Sequence, residues 1–213
     1  MKINFIIVAV FTILLAACSS RTKKIIVYAN HDAIINEEAK TIIEKDDEGH
    51  IVNEIQYNTG DKVELKVQQK DGSVTSIEIP EHGYYILNVK AKDTIIGGYQ
   101  KYSTPEEANR IITQEELKRN IDSLQQMIQG KNTSAANRTF FILPNAAAKI
   151  SDNADATIIG PYHRMTSLEK RGDKEPEVYR FYSIKEVRET IDKLQKHTGE
   201  KPKEENEPAK EKK

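Results

Sequence analysis

The side chains that could take part in catalysis or bind a metal are scattered along the sequence. The five histidines, His31, His50, His82, His163 and His197, include no pair at metal-ligand spacing, and the one cysteine excludes a cysteine-based zinc site. The chain has no nucleophile-elbow, Walker or dinucleotide-binding motif. We therefore expect no metal, no cofactor and no enzymatic activity. A hydrolase with an unfamiliar active site is the alternative.

A run of oxygen-bearing side chains extends from Ser151 to Asp155. It lacks the glycine and the closing glutamate of a calcium-binding EF-hand loop. Asparagine and aspartate side chains commonly bond to the backbone two residues further on, so we interpret this run as a turn before Thr157.

Tyrosine is the most frequent aromatic residue, with nine tyrosines against five phenylalanines and no tryptophan, and its side chain is suited to binding. On an exposed sheet face, tyrosine rings could stack on sugars or contact a protein partner. Alternatively, the rings fill the core and the hydroxyls reach water. Both interpretations stay open for the tyrosine-rich later part of the chain, which holds Tyr84, Tyr85, Tyr99, Tyr102, Tyr162, Tyr179 and Tyr182.

The only cysteine, Cys18, follows a short positive start at Lys2 and an apolar run over residues 5–17. As a helix, this run would be about 20 Å long, which is shorter than the roughly 30 Å hydrocarbon core of a bilayer. The apolar run after a positive start predicts a secretory signal peptide over residues 1–17. Because the chain has a single cysteine, a disulfide within it is excluded.

The end of this segment, Leu15-Ala16-Ala17-Cys18, resembles the lipobox of bacterial lipoproteins. The resemblance covers only the signal. It implies that Cys18 is the lipid attachment site, that cleavage leaves Cys18 at the N-terminus, and that residues 18–23 form a lipidated tether. Two or three acyl chains make a durable anchor. Because serines, and no aspartate, follow the cysteine, the family rule for Gram-negative bacteria implies the outer membrane; in a Gram-positive source the anchor would lie in the plasma membrane.

Charge excludes some partners. The 32 basic and 33 acidic residues almost cancel, so the chain has no overall attraction for nucleic acid. Residues 198–213 contain five lysines, five glutamates and no apolar residue larger than alanine. Such a segment cannot bury enough surface to offset the entropy of ordering, and we predict a disordered charged tail.

The remaining chain predicts an α+β fold. Short β-branched segments at Ile25–Tyr28, Thr41–Ile43 and Ile51–Ile55 are typical of strands, which indicates an antiparallel, strand-rich region over residues 24–102. Helices and further strands are expected over residues 103–197.

The clearest strand pair is a hairpin around Lys70-Asp71-Gly72. A two-residue loop would place the apolar side chains of the first strand opposite polar ones. A three-residue loop places Val63, Leu65 and Val67 opposite Ile79, Ile77 and Thr75, which creates one apolar face. We therefore predict the three-residue loop, with Gly72 in the left-handed conformation that it requires.

Two amphipathic helices are predicted in the later part of the chain. Capping-box sequences at Ser103–Glu106 and Ser183–Glu186 mark their starts. Apolar residues then follow helical spacing as far as Gly130 and Gly199. These residues are Leu117, Ile121, Leu124 and Ile128 in the first helix and Val187, Ile191 and Leu194 in the second. We expect both stripes to pack inside the protein rather than bind a partner.

Three sequence blocks occur twice in the same order, which predicts that residues 140–197 repeat a strand–strand–helix unit of residues 84–130. The matching blocks are Tyr84–Leu87 with Phe140–Leu143, Thr94–Lys101 with Thr157–Arg164, and Glu116–Gln125 with Glu186–Gln195. Convergence of short strand and helix patterns is the alternative. The shared Ile-Ile-Gly-x-Tyr element is expected to be a turn, whose glycine gives a positive φ or a close backbone approach.

Together these features predict an α+β lipoprotein of the cell envelope that serves as a non-catalytic binding or assembly module. Its expected partners are the membrane, through the lipid anchor, and another envelope protein or the cell wall. Nucleic acid is excluded as a partner. A glycan-binding or small-ligand-binding lipoprotein that uses the tyrosines is the alternative.

Overall fold

The structure is a computed structural model that describes residues 21–45, 48–101, 112–131, 133–163 and 176–198. Within these ranges the chain is mixed α+β: a strand-rich N-terminal half is followed by helices and further strands. The strands are β1 (Thr22–Ala29), β2 (Ile34–Asn36), β3 (Thr41–Ile43), β4 (Ile51–Asn58), β5 (Val63–Gln68), β6 (Val74–Ile79), β7 (Gly83–Asn88), β8 (Ile95–Tyr99), β9 (Thr139–Ile142), β10 (Ala146–Ser151), β11 (Thr157–Ile159) and β12 (Val178–Ser183). The helices are α1 (Gln114–Ile128) and α2 (Ile184–Thr198).

Strand β1 lies inside a central sheet of order β10-β7-β1-β4. Because successive side chains of a strand point to opposite faces, its apolar run serves two cores. Ile25, Val27 and Ala29 pack against the first outer sheet, of order β2-β3-β5-β6. Ile26 and Tyr28 pack against the second outer sheet, of order β11-β12-β8-β9. Three sheets are therefore stacked with β1 in the middle layer.

Parallel strand pairs occur in all three sheets, whereas the sequence favoured an antiparallel N-terminal region. Strand β1 is antiparallel to β4 but parallel to β7, and β3 is parallel to β5. The reason is connectivity: between β1 and β7 the chain passes through the first outer sheet twice, with β4 of the central sheet in between, and then returns to β1 in the same direction. Such crossovers join parallel strands.

The β5–β6 hairpin has the predicted register, with Val63 opposite Ile79 and Leu65 opposite Ile77. Gly72 has φ +84°, in the left-handed region, and its N–H donates to the carbonyl of Gln69. Both the three-residue loop and the role of Gly72 are confirmed. The alternating pattern determined the register because a shift by one residue would expose the apolar face.

Both apolar helix stripes are confirmed, and the helices pack on each other and on the outer face of the second outer sheet. Ile96 of β8, Ile121 of α1 and Ile191 of α2 meet in this third core. They form a fourth layer of the molecule. Neither helix among the described residues is both long and apolar enough to cross a bilayer.

The helix starts were predicted with mixed success. Ser183 and Glu186 form the expected capping box of α2: the Ser183 N–H donates to the Glu186 carboxylate at 2.9 Å and the Glu186 N–H donates to the Ser183 hydroxyl at 3.4 Å. The predicted box at Ser103–Glu106 lies outside the described residues. Helix α1 has a capping box ten residues later, between Thr113 and Glu116.

The repeated blocks have different surroundings. The first pair of blocks shows the difference. Tyr84–Leu87 lies in β7 of the central sheet, whereas its counterpart Phe140–Leu143 overlaps β9, which is an edge strand of the second outer sheet. The helical blocks do correspond, since the equivalent Ile121 and Ile191 share one core. The duplication stays a prediction.

Gly97 lies within strand β8, where the sequence favoured a turn. Its role is close backbone approach, because a Cβ at this position would lie 2.1 Å from the carbonyl oxygen of Arg180 and 2.7 Å from the Cα of Phe181. Backbone atoms of β12 cannot move aside as a flexible side chain could. Gly97 therefore permits β8 and β12 to pair.

We predict that Gly97→Ala lowers the free energy of unfolding by about 3 kcal/mol or more, because the new methyl group overlaps the β12 backbone. Gly72→Ala is the matched control: a Cβ there meets nothing within 4 Å, and only the left-handed backbone costs about 1 kcal/mol. Urea denaturation measures both. Equal losses in the two variants would contradict the close-approach role.

Candidate functional site

Hydrogen-bonding side chains gather at the two ends of the central sheet, because its middle is apolar on both faces. The register of the strands defines these ends. At the Thr22 end, Thr22 is opposite Asn58 and Lys23 is opposite Gly83. At the Ala29 end, Ala29 is opposite Ile51. A site for chemistry or binding is expected at one of these ends.

The Ala29 end carries a stacked pair of aromatic side chains, His50 and Tyr162. Their ring centroids are 4.0 Å apart with an interplanar angle of 20°. His50 is exposed and Tyr162 is 36% exposed. We call this the His50–Tyr162 pair. It brings together the segment before β4 and the segment after β11, which are more than 100 residues apart in sequence.

Helix α2 holds Tyr162 in place through its N-terminal turn. The Tyr162 hydroxyl lies 3.0 Å from the Ser183 hydroxyl, and its backbone N–H donates to the Glu186 carboxylate at 2.8 Å. The Tyr162 backbone is left-handed, with φ +61°, which is costly for a side chain of this size. The same two residues that cap α2 therefore fix an exposed tyrosine in a strained conformation.

Two further polar contacts lie beneath the pair. The buried Tyr28 hydroxyl donates to the Asp93 carboxylate at 3.0 Å, and the Lys90 ammonium donates to the Gly49 carbonyl at 2.7 Å. Burial, and then the Asp93 charge, strongly raise the pKa of Tyr28. Burial, and then the positive charge of Lys90, lower the pKa of His50. Burial also raises the pKa of Tyr162, so at neutral pH the pair is an uncharged imidazole stacked on a neutral phenol.

This arrangement is suited to contact rather than to proton transfer. Ser183 also accepts a hydrogen bond from the Lys185 N–H at 3.1 Å, and the Glu186 carboxylate bonds to two backbone N–H groups. These groups are engaged in holding the loop and the helix. The exposed aromatic surface of the Ala29 end is that of the His50–Tyr162 pair.

The Thr22 end is organised around Glu177. Its carboxylate accepts hydrogen bonds from the Tyr179 hydroxyl at 2.7 Å, the Ser151 hydroxyl at 3.0 Å and the Asn153 amide at 3.2 Å. Burial would raise the pKa of Glu177, but these three donors hold it below its ordinary value. Burial and the bond to Glu177 raise the pKa of Tyr179 to about 12.

The run from Ser151 to Asp155 forms the predicted turn. The Asn153 side chain accepts from the Asp155 N–H at 2.9 Å, and the Ser151 hydroxyl accepts from the Asn153 N–H at 3.0 Å. These are the local side-chain to backbone bonds expected of such residues. Because Ser151 and Asn153 also donate to the Glu177 carboxylate, this turn is bonded to the residue that precedes β12.

An open cleft of about 430 Å³ lies beside this turn, lined by Glu81, Lys149, Ile150, Ser151 and Asp152. The Lys149 ammonium lies 2.8 Å from the Glu81 carboxylate and 2.5 Å from the Asp152 carboxylate. Burial opposes the charge of Lys149, but these bonds raise its pKa above the ordinary value. The charges of the cleft are thus paired with each other.

The other candidate residues have varied positions. Cys18 and Tyr102 lie outside the described residues. The histidines that the structure describes do not meet with acidic residues in any group that could hold a metal. The rings of Tyr84, Tyr85 and Tyr179 are buried, and their hydroxyls bond to protein oxygens of Glu54, Glu81 and Glu177. Filling of the core is therefore the correct interpretation for these three tyrosines, although protein groups replace the expected water.

Sequence reasoning missed Asp93, Glu177 and Glu186 as site residues. Glu186 could have been found from the sequence, since it belongs to the predicted capping box. Asp93 and Glu177 are isolated acidic residues beside strands, and only the fold brings them to Tyr28 and Tyr179.

We predict that Glu177→Gln lowers the free energy of unfolding at pH 7 by about 1–2 kcal/mol, because three donors lose their charged acceptor. A carboxyl whose pKa is lowered by folding stabilises the protein above the unfolded value of 4.5, and this contribution disappears as the pH falls. The stability of the variant should therefore fall less between pH 5 and pH 3, as measured by urea denaturation.

Asp155→Asn is the control for this change, since it removes one exposed carboxylate of the same turn. It should leave both the stability at pH 7 and the acid dependence close to those of the unchanged protein. If Glu177→Gln behaved like Asp155→Asn, Glu177 would not be the centre of the Thr22 end.

The chain has no detected counterpart in sequence or in fold. No protein-family model, no curated protein and no solved structure matches it.

Proposed function

We propose that this chain is a bacterial lipoprotein, held in the cell envelope by acyl chains on Cys18, and that it is a non-catalytic binding or assembly module. The lipobox sequence Leu15-Ala16-Ala17-Cys18 supports the anchor. The serines after the cysteine favour the outer membrane. The partner is another envelope protein or the cell wall.

The single observation that carries the binding role is the exposed His50–Tyr162 pair. An aromatic surface with few rotatable bonds gains contact area at little entropic cost, which is why tyrosine is enriched at interfaces. Tyr162, whose backbone is strained, is held by the two residues that cap α2, and strain of this kind concentrates at functional positions. The groups beneath the pair are engaged in structural bonds, which favours binding over catalysis.

We predict that the protein extracted from its native membrane has a mass that lacks residues 1–17 and includes acyl chains. Cys18→Ala should remove the added mass and release the protein from the membrane, because diacylglycerol is attached to the thiol. Intact-mass spectrometry and membrane fractionation measure these effects. An unlipidated mass that begins elsewhere would indicate a secreted protein and would contradict the anchor.

We predict that Tyr162→Asn reduces covalent capture of the partner by about thirtyfold when intact envelopes are chemically cross-linked, because the loss of a central aromatic residue typically costs about 2 kcal/mol or more of binding free energy. Asparagine tolerates the left-handed backbone, so the loop is retained while the ring is removed. Thermal unfolding should show that the variant is folded.

Val74→Ala is the control, since Val74 is 61% exposed in the first outer sheet. It should leave the cross-linked product unchanged. A monodisperse protein that gives no specific product, or a product that Tyr162→Asn does not affect, would contradict the binding role of the pair.

A glycan or another small ligand is the second candidate partner, favoured by the same exposed pair because aromatic faces stack on sugars. Among the described tyrosines, burial of Tyr84, Tyr85 and Tyr179 leaves Tyr162 as the most exposed ring. Binding would change tyrosine fluorescence and raise the melting temperature of the unchanged protein but not of Tyr162→Asn. Unchanged values across a glycan panel would eliminate those ligands.

A further inference from the structure

The start of β1 is very close to Cys18 along the chain. Strand β1 begins at Thr22, four residues after Cys18, so the tether is shorter than the predicted residues 18–23. Four fully extended residues span at most about 14 Å. An anchor on Cys18 therefore leaves the folded body little freedom to move away from the membrane.

We infer that the Thr22 end of the molecule lies against the phospholipid headgroups of the membrane that holds Cys18, with the His50–Tyr162 pair facing away from it. This inference rests on the proposed lipid anchor. It adds an orientation and a lipid-contacting surface to the proposed function.

The strand register identifies which segments form this surface. Asn58 pairs with Thr22, so the turn between β4 and β5 lies beside the tether. Gly83 pairs with Lys23, so the turn between β6 and β7 is also at this end. Neighbouring strands are about 5 Å apart, and both turns are therefore closer to Thr22 than the maximum length of the tether.

Local contacts make this end rigid. The Lys23 side chain is 1% exposed, and its ammonium donates to the Thr59 carbonyl at 2.8 Å. Arg21 extends beside Gly60 in the same turn. The first described residues of the chain are thus fixed to the β4–β5 turn, and an anchor a few residues earlier would act on a well-defined surface.

The charge of this end determines what holds it to lipid. Its charged side chains have both signs, and some pair with each other, as Lys149 does with Glu81 and Lys62 with Glu78. Anionic lipids attract polybasic segments, and this end is not polybasic. The acyl chains supply the binding, and contact with headgroups follows from the short tether without a requirement for anionic lipid.

The opposite end is well separated from the bilayer. Strand β1 runs from Thr22 to Ala29, so the two ends are about 23 Å apart along the strand. Leu143, which is 57% exposed, lies at the Ala29 end, where its carbonyl accepts from the Asn88 amide at 3.1 Å. Asp61 is exposed in the β4–β5 turn at the Thr22 end. These two positions report on the orientation.

The test uses the lipidated protein, which begins at Cys18, in phosphatidylcholine vesicles that contain an acceptor-labelled lipid headgroup. In the lipidated protein the Cys18 sulfur is bonded to diacylglycerol, so a cysteine introduced by Asp61→Cys or Leu143→Cys is the only free thiol and can be labelled with a donor fluorophore. Energy transfer should be at least about twofold more efficient from position 61 than from position 143, given the separation of the ends. Addition of phosphatidylglycerol should not change this ratio.

Equal transfer from both positions, in a preparation whose mass shows the acyl chains, would overturn the orientation and leave the proposed anchor intact. A mass without acyl chains would remove the anchor and the orientation together. The Cys18→Ala forms of both labelled variants, produced without residues 1–17, are controls that should remain in solution and show no transfer.

Discussion

The burial of both faces of β1 is the constraint on which the rest of the structure depends. A strand with apolar side chains on both faces must be covered on both, and β1 is covered by one outer sheet on each side. Strand β7 extends the same pattern, with Tyr85 and Leu87 on one face and Tyr84 and Ile86 on the other. The second outer sheet is in turn covered by the helix pair.

This layering also determines where polar chemistry can lie. An unpaired polar group within either core would cost several kcal/mol, so the hydrogen-bonding side chains are found where the strands end. Asn88 at the end of β7 donates to the carbonyls of Asp93 and Leu143, and joins two loops at the Ala29 end. Lys23 has a similar role at the Thr22 end. The ends are therefore both the polar connections of the fold and its candidate surfaces.

The sequence correctly predicted the elements whose structure depends mainly on interactions between residues close together in the chain. The β5–β6 register followed from alternation, the start of α2 from its capping box, and the Ser151–Asp155 turn from the side chains of its residues. Strand β10 was not predicted, because its alanine-rich sequence is typical of a helix. It forms a strand because it pairs with β7, and its small side chains fit between two sheets.

The candidate site was hidden from sequence for a different reason. Tyr28, His50, Asp93 and Tyr162 belong to four separate segments, and their meeting depends on the order of strands in the central and second outer sheets. Tertiary pairing of this kind leaves no spacing pattern to detect. The lipobox-like sequence at residues 15–18, by contrast, is a contiguous pattern of four residues, and for this reason the anchor could be proposed from the sequence while the proposed binding surface could not.

The most direct measurement is photo-cross-linking in native membranes with a benzophenone amino acid introduced at position 162 or at position 61. If the chain is an anchored binding module, position 162 gives a discrete adduct with a partner, and position 61 gives adducts with lipid. The same adducts at both positions, or a partner adduct at position 61 alone, would contradict an anchored module that presents Tyr162 to its partner.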